Sequence, residues 1–479
     1  MNESRILQML KQMFLKKDYV KVLLYIAFVL LLCIYISNRI TVIFTTNIEL
    51  STGESNNIWN IINVNNGKAL YSNPEDMPFE IFQYSPLSQL IYVAVTKITS
   101  IDNYINISRF LRFFNLIVNC MVALGGFLFA KRYLKLSDIN AFVVAFFCLL
   151  LLGHMCWIVR PDALSVFFLF YACIFAYCSL KNEKLIYVSS VLTVLALFTK
   201  QDAIQLFIII PVSFFLIKRF RLGIKYFYSV LLVGFVVFLI FYGIYGDVFV
   251  KSVIGGVSIS PSLIYAFNVL NRYLQLYNFY PILIVVASMY MIIKSKEEGF
   301  VFLSMLLIGA FIFALGTSLK PGAGSNYYTL ANLLGVLILS RIYINMKQTK
   351  IIGILIICWA YYFFTGILFH YTSKSFDFSM DKYNNVHSVA LEIRKSLPED
   401  FKIYTTDVYL KLELAEHSIL PNNEYYPESS FNLENINKES FYIYGDIEKD
   451  WLFINVLKNG NLREIDTING IKLFSYGEK

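Results

Sequence analysis

Five stretches of this 479-residue sequence set acids and bases where chemistry on an anion could occur. "WIVRPDAL" holds Arg160 and Asp162. "LFTKQDA" holds Lys200, Gln201 and Asp202. "SLKPGAGSNYYTL" holds Lys320, Gly322, Gly324, Asn326 and Tyr327. Arg109 and Arg112 open another apolar run. Residues 49–71, "ELSTGESNNIWNIINVNNGKALY", are polar, rich in Asn, and carry Glu49 and Glu54. Arg grips phosphate through a rigid fork and Lys through a point charge. A carboxylate can act as a base, and this stretch offers two. "SNNIWNII" is expected to form a short helix over the mouth of the site, aiming Glu54 at a lipid head group.

The elements that must position these residues are membrane helices. Hydrophobic residues make up 57% of the chain and charged residues only 15%, against about a quarter charged in soluble proteins. Apolar runs long enough to cross a bilayer, about 20 residues, recur over the first 370 positions. Charges mark eleven expected spans, near 21–43, 109–130, 139–158, 163–180, 185–199, 203–217, 226–246, 274–293, 299–318, 327–344 and 351–372. Alternate loops are rich in Lys and Arg, including Lys131, Arg132 and Lys135, then Lys218, Arg219 and Arg221. The positive-inside rule puts these in the cytoplasm. Residues 1–20 then form a cytoplasmic amphipathic N-terminus, 21–372 a transmembrane domain, and 373–479 a soluble extracytoplasmic domain. The 85–98 stretch is too short to span and is read as a helix along the outer surface, so loop 45–108 lies wholly outside. In the tail, the 3.6-residue period of "VHSVALEIRKSL" and the Gly-capped "WLFINVLKNG" read as helices. "FKIYTT", "SFYIYG" and "GIKLFSY" read as strands. The fold class is therefore an all-α polytopic membrane protein of about eleven helices with a small α/β C-terminal domain. The seven cysteines all lie in apolar runs, which points away from a disulfide framework. The four histidines are scattered, so no metal or other cofactor is expected.

Each charged residue has a plainer alternative. Arg109 and Arg112 could snorkel to the interface. Arg160 and Asp162 could be a local ion pair at a helix start, "KPGAG" a simple turn, and the glutamates solvated loop charges. The signal is their coincidence at the outer ends of the spans.

At these residues the sequence resembles the GT-C superfamily of membrane glycosyltransferases, in the branch of protein O-mannosyltransferases and lipid A aminoarabinose transferases. The pieces are an acid soon after span one, "G-x-x-L-Y" from Gly67 to Tyr71, and Pro86-Leu87 opening a surface helix. Then come "RPDAL" from Arg160, "TKQ" from Thr199, and "GAGSNYY" from Gly322. The resemblance covers the whole chain. It implies transfer of a sugar, with inversion, from a polyprenyl-phosphate carrier to a glycan, lipid or protein hydroxyl at the outer face of the plasma membrane, with a loop-one carboxylate as the base that the hydroxyl needs, Glu54 ranking first and Glu49 second. Two departures stand out. The family often has Asp-Glu or Asp-Asp in loop one, where Gly53 here precedes a single Glu54. The aminoarabinose branch has Lys-Pro-Pro before its surface helix, where this chain has Tyr84-Ser85-Pro86. The phosphate clamp must then come from Arg160, Lys200 or Lys320, with Asp162, Gln201, Asn326, Tyr327, Tyr84 and Arg109 around it. The alternatives are a polysaccharide polymerase or ligase of the same architecture, and a lipid flippase or transporter. A transporter predicts mid-depth charges and repeat symmetry between halves, and the sequence shows neither clearly. Nothing in it points to nucleic acid.

Overall fold

Apolar runs between charge clusters become helices because, away from water, a helix satisfies its backbone internally. The computed structural model describes residues 19–44, 53–73, 76–80, 82–101, 103–255, 260–345, 380–419, 439–445 and 462–477. Their helices are α1 (Tyr19–Phe44), α2 (Glu54–Asn65), α3 (Pro86–Ile98), α4 (Tyr104–Arg132), α5 (Asp138–Leu150), α6 (Asp162–Ser179) and α7 (Leu185–Thr199). There follow α8 (Ile204–Leu216), α9 (Phe220–Val250), α10 (Leu263–Tyr277), α11 (Tyr280–Lys294), α12 (Glu298–Thr317) and α13 (Thr329–Asn345). Local chemistry sets the ends. The Asn103 side chain accepts from the Ile105 amide at the start of α4, whose last turn carries Lys131 and Arg132, where cations favour the helix dipole. Pro86 occupies the first turn of α3, where its missing N–H costs nothing.

The bundle core is α4 with α5, α6 with α7, and α12 with α13. Close approach is set by small residues. A Cβ on Gly309 of α12 would stand 2.6 Å from Cγ2 of Ile209 on α8. By length and apolarity four helices can cross a bilayer: Tyr104–Arg132, Asp162–Ser179, Phe220–Gly255 and Glu298–Thr317. The α10–α11 pair, bent by 92°, makes a fifth if taken as one span. The described residues thus do not reproduce the expected count of eleven. Ten of the expected segments do contain helix, and the eleventh, 351–372, lies outside the described residues. The 139–158 segment shows why length and count part. Its helix α5 stops at Leu150, and the chain continues to Pro161 as turns and one short 3₁₀ stretch. The expected outer-surface helix at 85–98 is present as α3, packed on α2, α4 and α7.

The C-terminal region carries α14 (Met380–Ser396), α15 (Val408–Glu413) and a four-stranded sheet of β1 (Ile403–Thr405), β2 (Phe441–Tyr444), β3 (Leu462–Ile468) and β4 (Ile471–Tyr476). The order is β1-β2-β4-β3, with β1 and β2 parallel and the other pairs antiparallel. The three expected strands are β1, β2 and β4, while β3 was not anticipated. The expected helix at 451–460 lies outside the described residues. This region docks on loop one: α15 packs against α2, Lys411 Nζ donates to Asn56 Oδ1 at 3.2 Å, and Lys68 Nζ donates to the Glu416 carbonyl at 2.8 Å.

Candidate functional site

Glu54 is the first residue of α2, directly after Gly53 at φ 87°. The helix forms where expected, but the carboxylate points into the bundle. Arg112 Nε donates to Oε1 at 2.9 Å and Arg112 Nη2 to Oε2 at 2.8 Å, with both side chains fully buried. The Val159 amide adds a third donor to Oε1, at 3.0 Å. The sequence reading aims Glu54 at a head group; here its two oxygens accept from Arg112 and from the Val159 amide. Glu49 lies outside the described residues.

The Val159 contact belongs to a larger arrangement. The irregular segment between α5 and α6 is buried, with Leu151, Leu152, Cys156 and Trp157 in the core. Backbone groups without a helical partner need others, and one face of α4 supplies them. Asn115 Nδ2 donates to the Ile158 carbonyl at 2.6 Å, and Asn119 Nδ2 to the Cys156 carbonyl at 2.8 Å. From α3, the Tyr92 hydroxyl lies 2.7 Å from the Arg160 carbonyl and 2.9 Å from Asn115 Oδ1. The segment is thus fixed from α2, α3 and α4, and it delivers Arg160 and Asp162 to the same end of the bundle as Glu54.

Asp162, at the start of α6, is the hub of that end. Its Oδ1 accepts from Lys200 Nζ at 2.9 Å and from Asn326 Nδ2 at 2.6 Å. Its Oδ2 accepts from Arg160 Nε at 3.3 Å. Arg160 Nη2 also donates to the Tyr84 hydroxyl at 2.8 Å. Lys200 makes a second ion pair, 3.2 Å to Asp202, and its ammonium lies 4.7 Å from the centre of the Tyr327 ring. Burial works against the Lys200 charge, but Asp162 and Asp202 outweigh it and hold the ammonium well above the ordinary lysine value. Gly53 closes the ring: a Cβ there would stand 3.1 Å from Arg160 Nη1. At φ 87° that position also favours glycine.

The structure therefore brings together Arg160, Asp162, Lys200, Asn326, Tyr327 and Tyr84. Lys320 stands at their edge, in a turn pinned to the start of α10: the Ser262 amide donates to the Leu319 carbonyl and the Tyr265 hydroxyl to the Ala323 carbonyl. Burial, and then the nearby Lys200 charge, pull the Lys320 ammonium down to about 8. Among the described residues Lys320 is in no ion pair, whereas Arg160 and Lys200 both answer Asp162.

Asp162 is the counter-ion of the cations. Gln201 spends its amide on main chain, donating to the carbonyls of Gln83 and Val253, so it ties loops together. No contact joins Arg109 to the cluster among the described residues, and its Nε is buried without a hydrogen-bond partner. Arg112, one turn on, is the arginine that engages. The sequence reading missed Asn115, Asn119 and Tyr92. Arg112, Asn115 and Asn119 are spaced three and four apart, a single helix face, and that polar stripe in an apolar run was the available signal. Among the described residues no three metal-ligating side chains gather.

No protein-family model matches the sequence, and no curated protein matches it. Solved structures do match in fold. ArnT from Cupriavidus metallidurans bound to undecaprenyl phosphate is similar over 93% of this chain and 97% of its own, with a TM-score of 0.61 at 10% identity. The Archaeoglobus fulgidus oligosaccharyltransferase, solved with Zn and sulfate, is similar over 86% of this chain and 68% of its own, at TM-score 0.54 and 14% identity. The same organism's oligosaccharyltransferase AglB, with an inhibitory peptide and a dolichol-phosphate, gives 0.51 at 12% identity over 90% and 70%. Over most of its length this chain thus shares the fold of these solved structures.

Proposed function

We propose that this protein is a membrane glycosyltransferase that moves a sugar, with inversion, from a polyprenyl-phosphate carrier to an acceptor hydroxyl at the outer face of the membrane. The observation that supports it best is the convergence of Arg160, Lys200 and Lys320 at one end of an apolar bundle, in a fold of which one solved structure holds undecaprenyl phosphate and another a dolichol-phosphate. A lipid phosphate sits at such a boundary, its chain in hydrocarbon and its charge against the cations. Lys320 is the cation with charge to spare, and Arg160 is oriented by Asp162 and Tyr84.

Within this reading Glu54 acts by position. Of its three donors, the Val159 amide ties it to the backbone that leads into Arg160. With that carboxylate committed to three donors, the base is assigned to Glu49, just ahead of it in the chain. Transfer from radiolabelled polyprenyl-phosphate sugars to acceptor, in membranes holding the full chain, tests both points. Glu49→Gln is expected to lower kcat by ~10²–10⁴-fold, the usual worth of a general base, with donor KM unchanged. Glu54→Gln is expected to lower thermal stability together with turnover, and Arg112→Ala to cost ~3–5 kcal/mol by leaving a buried carboxylate alone. A Glu54→Gln variant that melts like wild type yet has lost its kcat returns the base to Glu54. Wild-type membranes that transfer sugar from no polyprenyl-phosphate donor would sink the whole reading.

A further inference from the structure

At the Asp162 hub lies a small pocket of about 10 Å³, room for one water-sized group, whose polar lining includes Asp162, Ser165, Lys200, Asp202, Gln205 and Asn326. Three of its oxygens are buried without a hydrogen-bond partner: Ser165 Oγ, Asp202 Oδ1 and Gln205 Oε1. Ser165 is 2% exposed and Gln205 3%. The Gln205 amide nitrogen donates to the Asp202 carbonyl at 3.2 Å, which leaves the Oε1 end as the unanswered one. Buried polar groups are normally bonded, and leaving one unmade costs about 1–3 kcal/mol. Three orphans around one space, from α6, α8 and the turn between α7 and α8, mark a place built to be filled.

The kind of atom missing identifies the occupant. All three orphans can accept, and two of them, a carboxylate oxygen and an amide oxygen, can do nothing else. A phosphate at neutral pH brings oxygens of the same kind and would be repelled. The group that fits must donate, so it carries O–H or N–H. We propose that this pocket receives one hydroxyl or amino group of the transferred sugar, and that Ser165 and Gln205 select for a sugar that carries that group. The assignment rests on the glycosyltransferase reading above. It also sorts the donor: phosphate stays with Arg160 and Lys320, and one polar group of the sugar turns toward the pocket.

The test compares two ligands on the full chain in lipid nanodiscs, with affinity read from thermal stabilisation. The first is undecaprenyl phosphate without a sugar. The second is a panel of undecaprenyl-phosphate sugars: glucose, mannose, N-acetylgalactosamine and 4-amino-arabinose. Wild type is expected to bind at least one loaded carrier more tightly than the bare one. Ser165→Ala and Gln205→Leu are expected to erase that preference, each weakening the loaded carrier by about tenfold, or ~1.4 kcal/mol. Affinity for the bare carrier is expected to be unchanged in both, which doubles as the check that they fold. Loaded and bare carriers weakened alike, or no preference in wild type, overturns the pocket while leaving the lipid-phosphate site standing; a pocket that holds only water gives the latter. No binding of any carrier to wild type overturns the functional reading and the pocket with it.

Discussion

Lys320 differs from Arg160 and Lys200 in having no carboxylate opposite it among the described residues, and this gives it a measurable signature. Its ammonium is drawn down to about 8 by burial and by Lys200. Below that pH the side chain is charged and can hold a phosphate; as pH rises through about 8 the charge, and the attraction with it, is lost. The kcat/KM for donor reports the free enzyme, so it is expected to fall on the alkaline side with a midpoint near 8. Lys320→Ala is expected to flatten that limb and to raise donor KM by at least about tenfold, charged contacts typically being worth ~2–5 kcal/mol. An alkaline limb that persists in the alanine variant assigns it to another group. At this scale much of the cluster was legible. Arg160, Asp162, Lys200 and Asn326 stand out because they interrupt or border long apolar runs in a chain only 15% charged. The direction a side chain takes was less so. Arg109 and Arg112 look alike in sequence, and only the placement of α4 against α2 decides that Arg112 meets Glu54.

At the scale of elements, the irregular segment from Leu151 to Pro161 governs the site, because it carries Val159, Arg160 and the approach to Asp162. It holds its shape through side chains of other elements. Asn115→Ala removes the donor to the Ile158 carbonyl and strands a buried acceptor, at about 1–3 kcal/mol. Faster amide exchange across 156–160 and reduced transfer are expected, with the rest of the bundle protected as in wild type. Uniform loss of protection would make Asn115 a general core residue. Sequence periodicity could not show this segment as non-helical, because its residues are as apolar as those of a span. Strand β3 was hidden for the opposite reason. "LREIDTI" is mostly exposed and charged, so it offers no apolar alternation. Its signal was the Asn469-Gly470 turn, both residues at positive φ, joining Ile468 to Ile471, the two-residue connection that hairpins favour.

For the whole molecule, composition fixed the class: a chain with this little charge and this many apolar runs had to be a helical membrane bundle with a polar tail. Composition could not say how many helices run the full width, because burial in protein lets a short helix or an irregular stretch lie at membrane depth. The short helices have a consequence of their own. Helix α7 has 15 residues, ~22 Å at 1.5 Å per residue, against ~30 Å of hydrocarbon. It runs from Lys184, a cytoplasmic-side lysine in the positive-inside reading, to Lys200 in the site. If Lys184 marks the inner border, Lys200 is sunk several ångströms below the outer one. The surrounding lipid must then dimple, or the carrier's phosphate must descend to meet it, and both become harder as the bilayer thickens. Turnover in vesicles of defined acyl length is therefore expected to peak in thin bilayers and fall steadily from 16- to 22-carbon chains, so that membrane thickness itself acts as a control on the enzyme.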